Sequence, residues 1–431
     1  MIKRQLYLDK LIAKKENGMI KVITGIRRCG KSYLLFEIYQ RYLNSIGVGN
    51  DHIIALALDD DVNIKYRNPL LLGQYVRSLI TDREKMYYVF LDEIQNVATI
   101  SNPFLPSTEE KVGFVDVLLG LMKIKNVDLY VTGSNSKMLS SDILTEFRGR
   151  GDEIRVNPLS YKEFYDAYNS DKNQAWHEYV TYGGMPFILQ QKTPDDKSWY
   201  LHSLFDKIYL DDILTRYKIR RDKQLLDDLL DIVSSSVGSL SNPIRIANTF
   251  KSKGINVTND TIGTYLDYLC DAFMLYKVKR YDVKGRKQIG SPFKYYFSDV
   301  GLRNARLNFR QQEENHIMEN IIYNELCARG FDVDVGVVGA TKSENDGLRK
   351  REYYEVDFVA NKASRRYYIQ SAFSISDANK RMQETRPLNK IQDSFKKIVV
   401  VKDSINPWHD EKGILYIGIE QFLLEANSMD L

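Results

Sequence analysis

The sequence contains, close to its beginning, the run Gly25-Ile26-Arg27-Arg28-Cys29-Gly30-Lys31-Ser32. This run matches the P-loop pattern G-x4-G-K-[ST] in full. Residues 21–24 before it have the apolar character of a buried strand, and residues 32–39 after it have the spacing of a helix with one apolar face. A strand, a glycine-containing loop and a helix in this order predict a phosphate-binding turn.

Each residue type in this loop has a chemical reason to be there. Gly25 and Gly30 allow backbone conformations that are closed to residues with a Cβ, so successive N–H groups can converge on phosphate oxygens. The helix adds unpaired N–H groups and the positive end of its dipole. We expect Lys31 to neutralise the β- and γ-phosphates and Ser32 to offer its hydroxyl to Mg2+. The predicted nucleoside-triphosphate site consists of Gly25, Ile26, Arg27, Arg28, Cys29, Gly30, Lys31, Ser32 and Tyr33.

The bulk composition limits the possible classes of protein. The chain has 431 residues, enough for two or three domains, and its 43% hydrophobic and 27% charged residues are typical of soluble globular proteins. A net charge of +4 is mild, so any surface for a polyanion must be local. Three distant cysteines predict neither a metal site nor a disulfide framework. Without an 18-residue apolar run or a signal-peptide core, we expect a cytoplasmic protein with no membrane contact.

A second motif follows where the apolar residues 86–91 lead into Asp92 and Glu93. An apolar strand that ends in Asp-Glu after a P-loop has the form of a Walker B motif. We expect Asp92, at the strand tip, to hold Mg2+ through water. We expect Glu93 to polarise the water that attacks the γ-phosphate, which makes Glu93 the catalytic base.

Two further positions could complete the catalytic set. A predicted strand at 127–132 leads into a polar turn, where we select Asn135 to orient the attacking water. Ser134 is the alternative, because the sequence does not determine the offset, and a plain Gly-Ser turn also fits. After a predicted helix at 140–147, we select Arg150 rather than Arg148 as an arginine finger that reaches a neighbouring subunit's nucleotide. A solvated basic turn is the alternative at this position.

Five segments together carry a family resemblance: GIRRCGKS, YYVFLDEIQ, VTGSNS, FRGRGDEIRVNPLSYKEF and YGGMP. Over essentially the whole chain, the sequence resembles a widespread prokaryotic family of AAA+-like ATPases with a C-terminal domain of unknown function. The resemblance implies ATP as the nucleotide and an α/β fold whose P-loop core has a parallel sheet of order 5-1-4-3-2. The expected domains are the ATPase core (1–158), a helical lid (159–222), a winged-helix region (223–305) and a restriction-endonuclease-like domain (306–431).

The predicted winged helix suggests a possible DNA contact. Helices at 225–237 and 243–250, a third helix capped by Thr258, and strands at 275–281 and 294–298 fit that fold. The third helix carries Asp260 and Asp267 but no Arg or Lys, so DNA contact would be to the backbone rather than to bases. A purely structural or protein-docking role stays open. The hairpin has the cationic footprint of phosphate contacts, with Lys277, Lys279, Arg280, Lys284, Arg286, Lys287 and Lys294.

Residues 306–431 resemble the PD-(D/E)xK nuclease fold, in which acids hold Mg2+ and a lysine lies near the attacked phosphate. Glu319 would be the helix acid, Asp357 the first motif acid and Gln370 the second. Ala372 stands where the motif lysine belongs, although Lys380 could replace it from the next segment. We therefore favour a degenerate nuclease fold that is kept for binding or packing.

Three functions are consistent with these features. In the first, Mg2+-dependent ATP hydrolysis acts on DNA or on a DNA-associated partner through the appended domains. In the second, the protein is a nucleotide-gated switch or assembly scaffold that binds protein partners, and a homo-oligomer is possible in either case. The third, an ATP-regulated nuclease, predicts Mg2+-dependent cleavage that Asp357→Ala abolishes.

Overall fold

The computed structural model describes residues 2–133, 150–219, 222–310, 313–343, 349–375 and 377–431. The chain forms two compact units, Met1–Pro158 with Asp271–Phe273, and Leu159–Cys270 with Met274–Leu431. The predicted lid, winged-helix and endonuclease-like domains, at 159–222, 223–305 and 306–431, fall together in the second unit apart from Asp271–Phe273.

The first unit contains a five-stranded parallel sheet, which confirms the predicted α/β class. The strand order is β2-β3-β6-β1-β7, which is the expected order 5-1-4-3-2 when the five strands are counted along the chain. A small antiparallel hairpin, β4–β5, lies outside this sheet. The strands are β1 Ile20–Thr24, β2 Ile53–Ala57, β3 Tyr87–Asp92, β4 Ile100–Ser101, β5 Lys111–Val112, β6 Val127–Thr132 and β7 Gly151–Arg155.

Every residue of β1 and β3 is buried, as expected of parallel strands that are covered on both faces. The helix after the phosphate loop begins as Lys31–Tyr33, is π-helical over Leu34–Tyr39 and ends as Gln40–Ser45. Short π-helical segments are frequent at functional sites. The other α-helices of this unit are Gln5–Lys14, Pro69–Leu79 and Phe114–Met122.

A buried polar network joins β1, β6 and the helix behind them. The ammonium of Lys21 pairs with the carboxylate of Asp128, and both side chains are almost fully buried. The Tyr130 hydroxyl donates a hydrogen bond of 2.7 Å to Asp128, and it lies 2.6 Å from the hydroxyl of Tyr39. Burial lowers the pKa of Lys21 and raises the pKa of Tyr130. Because Lys21 and Asp128 lie near the starts of their strands, this network is at the amino edge of the sheet.

The second unit begins with helices and ends with a mixed sheet. In the described part of the chain, no helix is long and apolar enough to cross a membrane. A π-helical segment, Phe205–Leu210, follows the α-helix Pro194–Leu204. The α-helices are Tyr161–Ala167, Ala175–Tyr182, Pro194–Leu204, Asp211–Arg216, Lys223–Ser235, Pro243–Ser252, Asn259–Asp271, Val300–Arg306, Glu314–Ala328, Ala378–Asn389 and Ile419–Leu424.

The eight-stranded sheet has the order β14-β15-β13-β12-β11-β10-β8-β9. The hairpin of residues 275–297, which the sequence predicts as a separate wing, instead forms one edge of this sheet. Its residues Arg280, Tyr281 and Asp282 pair in parallel with residues 335–337 of β10. Its second strand also begins at Lys287 rather than at 294. The strands are β8 Leu275–Asp282, β9 Lys287–Phe297, β10 Asp332–Ser343, β11 Arg349–Lys362, β12 Arg365–Ala372, β13 Lys396–Val401, β14 Trp408–His409 and β15 Leu415–Gly418.

Candidate functional site

The phosphate loop spans residues 25–30, between β1 and the helix that begins at Lys31. Gly25 has a φ of +143°, and a Cβ at this position would overlap the carbonyl oxygen of Val156, so a larger residue is excluded. Arg28 and Gly30 also have positive φ angles, of 67° and 97°. The first-turn N–H groups of a helix have no intrahelical acceptor, so the turn offers donors to an anion.

The side chain of Lys31 folds back over this loop. Its Nζ donates hydrogen bonds to the carbonyl oxygens of Gly25, at 3.1 Å, and Ile26, at 3.2 Å, and the residue is only 4% exposed. Phosphate oxygens in the loop would therefore meet an ammonium that the backbone already positions. Cys29 is buried, with its thiol 3.3 Å from the Val156 carbonyl oxygen.

Asp92 lies at the carboxyl tip of β3, where it is buried. Its Oδ1 accepts a hydrogen bond from the Thr132 hydroxyl. Burial raises the pKa of the Asp92 carboxyl, and side-chain hydrogen bonds with Thr132 and Ser32 oppose that shift. The structure thus brings together Ser32 and Asp92, the two residues predicted to hold Mg2+.

Glu93 follows directly in a left-handed conformation, with φ 50° and ψ 51°. Left-handed backbone is uncommon for residues other than glycine and marks a position that its surroundings hold in place. The Glu93 backbone N–H donates a 3.0 Å hydrogen bond to the Thr132 hydroxyl oxygen, and its carboxylate accepts one from Gln95. The turn therefore directs the chain away from β3 immediately after Asp92.

Thr132 is the residue that sequence reasoning missed. It is fully buried at the tip of β6, the strand beside β3, and its single hydroxyl donates to Asp92 and accepts from the Glu93 backbone. A hydroxyl at the end of a strand next to the Walker B strand was the available signal. The polar turn that follows drew attention to Asn135 and Ser134 instead, and both of these lie outside the described residues.

Arg148 also lies outside the described residues, whereas Arg150 is described and exposed. The Arg150 carbonyl oxygen accepts a 3.0 Å hydrogen bond from the N–H of Ile20, the first residue of β1. The phosphate loop follows the other end of β1. At about 3.3 Å per residue, the five residues of β1 place Arg150 roughly 16 Å from that loop. Within one chain, Arg150 is therefore at the wrong edge of the sheet to contact the nucleotide.

The acids expected in the C-terminal region come together around a lysine that the sequence reasoning had assigned to the hairpin. Lys294 of β9 contacts Glu319 of the helix Glu314–Ala328 and Glu355 of β11. Asp357 lies inside β11, which continues to Lys362. Ala372, which stands at the position of the motif lysine, is fully buried in the apolar core.

The hairpin β8–β9 keeps only part of its expected cationic surface. Lys277 pairs with Asp267 at 3.1 Å, and Lys294 is buried. The remaining exposed cations of the hairpin are Lys279, Lys284, Arg286 and Lys287.

The YGGMP segment has a packing role in the second unit. Gly183 has a φ of +72°, and a Cβ there would overlap the carboxylate of Asp299. Asp299 accepts hydrogen bonds from the backbone N–H of Gly184, at 2.7 Å, and of Leu302, at 3.1 Å. Burial raises the pKa of Asp299 to about 6. The carboxylate thus ties the end of the helix Ala175–Tyr182 to the start of the helix Val300–Arg306.

Two family models match the chain. Residues 17–165 match an AAA domain, and residues 173–313 match a domain of unknown function, DUF8612. Among solved structures, a Walker-type ATPase of Pyrococcus abyssi is similar with a TM-score of 0.48 and 15% identity, over 71% of this chain and 96% of that one.

Two relatives match over most of their length. An uncharacterised protein of Methanocaldococcus jannaschii is 27% identical over 86% of this chain and 77% of its own. An uncharacterised protein of Haemophilus influenzae is 34% identical over 93% of both chains. The chain therefore belongs to the same protein family as this Haemophilus influenzae protein, and it carries an AAA domain.

Proposed function

We propose that this protein binds ATP with Mg2+ and hydrolyses it, and that hydrolysis acts on DNA or a DNA-associated partner through the second unit. The observation that carries the ATPase proposal is the convergence of Ser32, Asp92 and Thr132 beside the phosphate loop. A glycine turn without a ligand would not require a buried acid at the end of β3, a hydroxyl at the end of the adjacent strand β6 and a second hydroxyl at the start of the helix after the loop.

The donor set at this position fits Mg2+. The Ser32 hydroxyl and the Asp92 carboxylate are hard oxygen donors, and the Ser32 side chain lies close enough to Asp92 to favour its ionised form. Bound Mg2+ would neutralise the charge that collects on the phosphate oxygens. A cation beside Asp92 favours the ionised carboxylate, which opposes the effect of burial on its pKa.

The side chains around this position divide the remaining work. Lys31 binds the β- and γ-phosphates, because its ammonium lies over the loop. Glu93 polarises the attacking water, with its backbone held by Thr132. We retain Asn135 for orienting that water, and Arg150 for reaching the nucleotide of a second copy of this chain.

The second unit supplies the proposed contact with DNA. The helices Lys223–Ser235, Pro243–Ser252 and Asn259–Asp271 precede the hairpin β8–β9, and Ser241 bridges to Phe293 of β9. Three helices, a short bridge and a hairpin are consistent with a winged helix. The exposed cations of the hairpin other than Lys277, which pairs with Asp267, would contact phosphates without reading bases; they are Lys279, Lys284, Arg286 and Lys287.

The test is steady-state ATP hydrolysis with and without duplex or single-stranded DNA, at two salt concentrations. We expect DNA to stimulate turnover, and the stimulation to fade as salt rises, because phosphate contacts release counterions. The triple variant Lys284→Gln, Arg286→Gln, Lys287→Gln should lose the stimulation but keep the basal rate. Turnover that is indifferent to DNA would contradict the DNA proposal and favour a nucleotide-gated switch for protein partners.

A further inference from the structure

A single buried ammonium organises three carboxylates in the second unit. Lys294 Nζ lies 2.7 Å from Glu319 Oε1, 2.7 Å from Glu355 Oε1 and 3.7 Å from Asp357 Oδ1. The Lys294 side chain is 3% exposed, so water contributes little to its solvation. An ammonium has three donors, and here each of them faces a carboxylate.

The surroundings hold these acids in place. The Tyr296 hydroxyl donates a 2.5 Å hydrogen bond to Glu319 Oε1, and the backbone N–H of Ser371 donates a 2.8 Å hydrogen bond to Asp357 Oδ2. His316 Nδ1 lies 4.0 Å from Glu319 Oε2. The groups come from β9, β11, β12 and the helix Glu314–Ala328, so the cluster joins four elements of the second unit.

This arrangement leaves no place for a second cation on the same oxygens. Mg2+ binds carboxylate oxygens at about 2.0–2.1 Å and needs near-octahedral geometry. An ion on the oxygens of Glu319 or Glu355 would lie within about 5 Å of the fixed ammonium, which would repel it. In the described residues, no group of three or more His, Cys, Asp or Glu side chains is placed to hold a metal ion.

We propose that Lys294 is a built-in cation, whose ammonium takes the place that a divalent metal ion would need among Glu319, Glu355 and Asp357. The C-terminal cluster then holds its elements together without metal, and it does not support metal-dependent cleavage of nucleic acid. The proposal is independent of the ATPase function, because every residue that it uses lies in the second unit.

The test replaces the built-in cation with a free one. Lys294→Ala should lower the melting temperature, because three acids lose their counter-charge, and Mn2+ should restore part of the loss. The melting temperature of Lys294→Ala should rise by on the order of 5 °C when the Mn2+ concentration is about a hundred times its Kd. Lys294→Ala/Asp357→Asn should show little response, and Lys277→Ala, on the same hairpin, should behave like the wild type. All measurements are made without nucleotide, so that any binding of Mn2+ at Asp92 contributes equally in every sample.

Three other outcomes would overturn the proposal. If Lys294→Ala folds but Mn2+ does not change its melting temperature, the carboxylates do not form a cation site. If this variant does not fold, Mn2+ binding is measured instead by titration of the wild type, Glu355→Gln and Glu319→Gln. Equal Mn2+ binding isotherms for the three proteins support the proposal that Lys294 is the built-in cation. A Mn2+ site that is present in the wild type and is lost in either variant would overturn it. Mg2+-dependent cleavage of DNA that is lost in Asp357→Asn would also overturn it, in favour of a nuclease.

Discussion

Thr132 shows how one side chain can position two consecutive acidic residues, Asp92 and Glu93. Its hydroxyl has one proton and two lone pairs, and in this structure it donates to the Asp92 carboxylate and accepts from the Glu93 backbone. The position of Asp92, the proposed metal ligand, and the direction of Glu93, the proposed catalytic base, therefore depend on the same oxygen atom. We infer that Thr132 acts through these acids as a positioning residue.

Thr132→Val should lower kcat while preserving the fold, since valine matches threonine in shape but lacks the hydroxyl. A hydrogen bond to a charged group contributes about 1.5–3 kcal/mol, which corresponds to about 10- to 100-fold in rate. Thr132→Ser keeps the hydroxyl and should retain most of the activity. Steady-state kinetics would separate the two variants, and equal rates for Val and wild type would remove Thr132 from the catalytic set.

At the scale of single elements, the buried pair Lys21–Asp128 joins β1 to β6 at the amino edge of the sheet. Lys21→Met should lower the free energy of unfolding by about 3–5 kcal/mol, because it leaves a buried carboxylate without its partner. The double variant Lys21→Met/Asp128→Asn should recover a large part of this loss. Lys14→Met, which breaks a partly exposed pair with Asp152, should cost about 1 kcal/mol or less.

Urea unfolding of these three variants and of Asp128→Asn, with the wild type, measures the coupling. If the losses in free energy of unfolding of the two single variants simply add in the double variant, Lys21 and Asp128 are not one interacting pair.

The contact between Asp299 and the YGGMP segment predicts a pH dependence. The pKa of Asp299 rises from about 3.9 in the unfolded chain to about 6 in the folded protein, because the carboxyl is buried. The folded state then binds this proton more tightly, so the free energy of unfolding falls as pH rises between these two values. From pH 4.5 to pH 7, the wild type should lose about 2 kcal/mol relative to Asp299→Asn.

Urea unfolding of both proteins at these two pH values checks this prediction, because every other titrating group is common to both. A difference between wild type and Asp299→Asn that does not change with pH would show that Asp299 is already ionised throughout this range.

At the scale of the whole molecule, the position of Arg150 requires a second copy of the chain for any catalytic role. Arg150 is exposed at the amino edge of the sheet, whereas the phosphate loop lies at the carboxyl edge. Arginine fingers that act in trans contribute up to roughly 10^3–10^5 in rate. Arg150→Ala should therefore lower hydrolysis by at least about tenfold in a self-associated protein.

Mixing two inactive variants tests this role directly. Arg150→Ala has an intact phosphate loop, and Glu93→Gln has an intact Arg150, so mixed assemblies should regain part of the wild-type turnover. Sedimentation would establish that the chains associate. A proven oligomer whose mixtures stay inactive would leave Arg150 as an exposed loop residue.

Local patterns predicted more of the fold than of the contacts between distant segments. The α/β class followed from the apolar runs and the P-loop, whereas the order of the parallel sheet was implied by the family resemblance; both are confirmed. The pairing of β8 with β10 could not be predicted, because it uses backbone groups that every residue carries. Lys294 was counted with the exposed cations of the hairpin, since nothing in its neighbours indicates that Glu319 and Glu355 enclose it.

The most direct measurement compares ATP binding and ATP hydrolysis in the wild type and Glu93→Gln. We predict that the variant keeps its affinity for Mg2+-ATP but loses about 100- to 10,000-fold in kcat, because the amide cannot polarise water as the carboxylate does. Glu37→Gln, an exposed acid on the helix that follows the loop, is the matched control and should stay active. Lys31→Ala should instead weaken ATP binding. Full turnover by Glu93→Gln, or unchanged ATP affinity in Lys31→Ala, would contradict the assignment of this site.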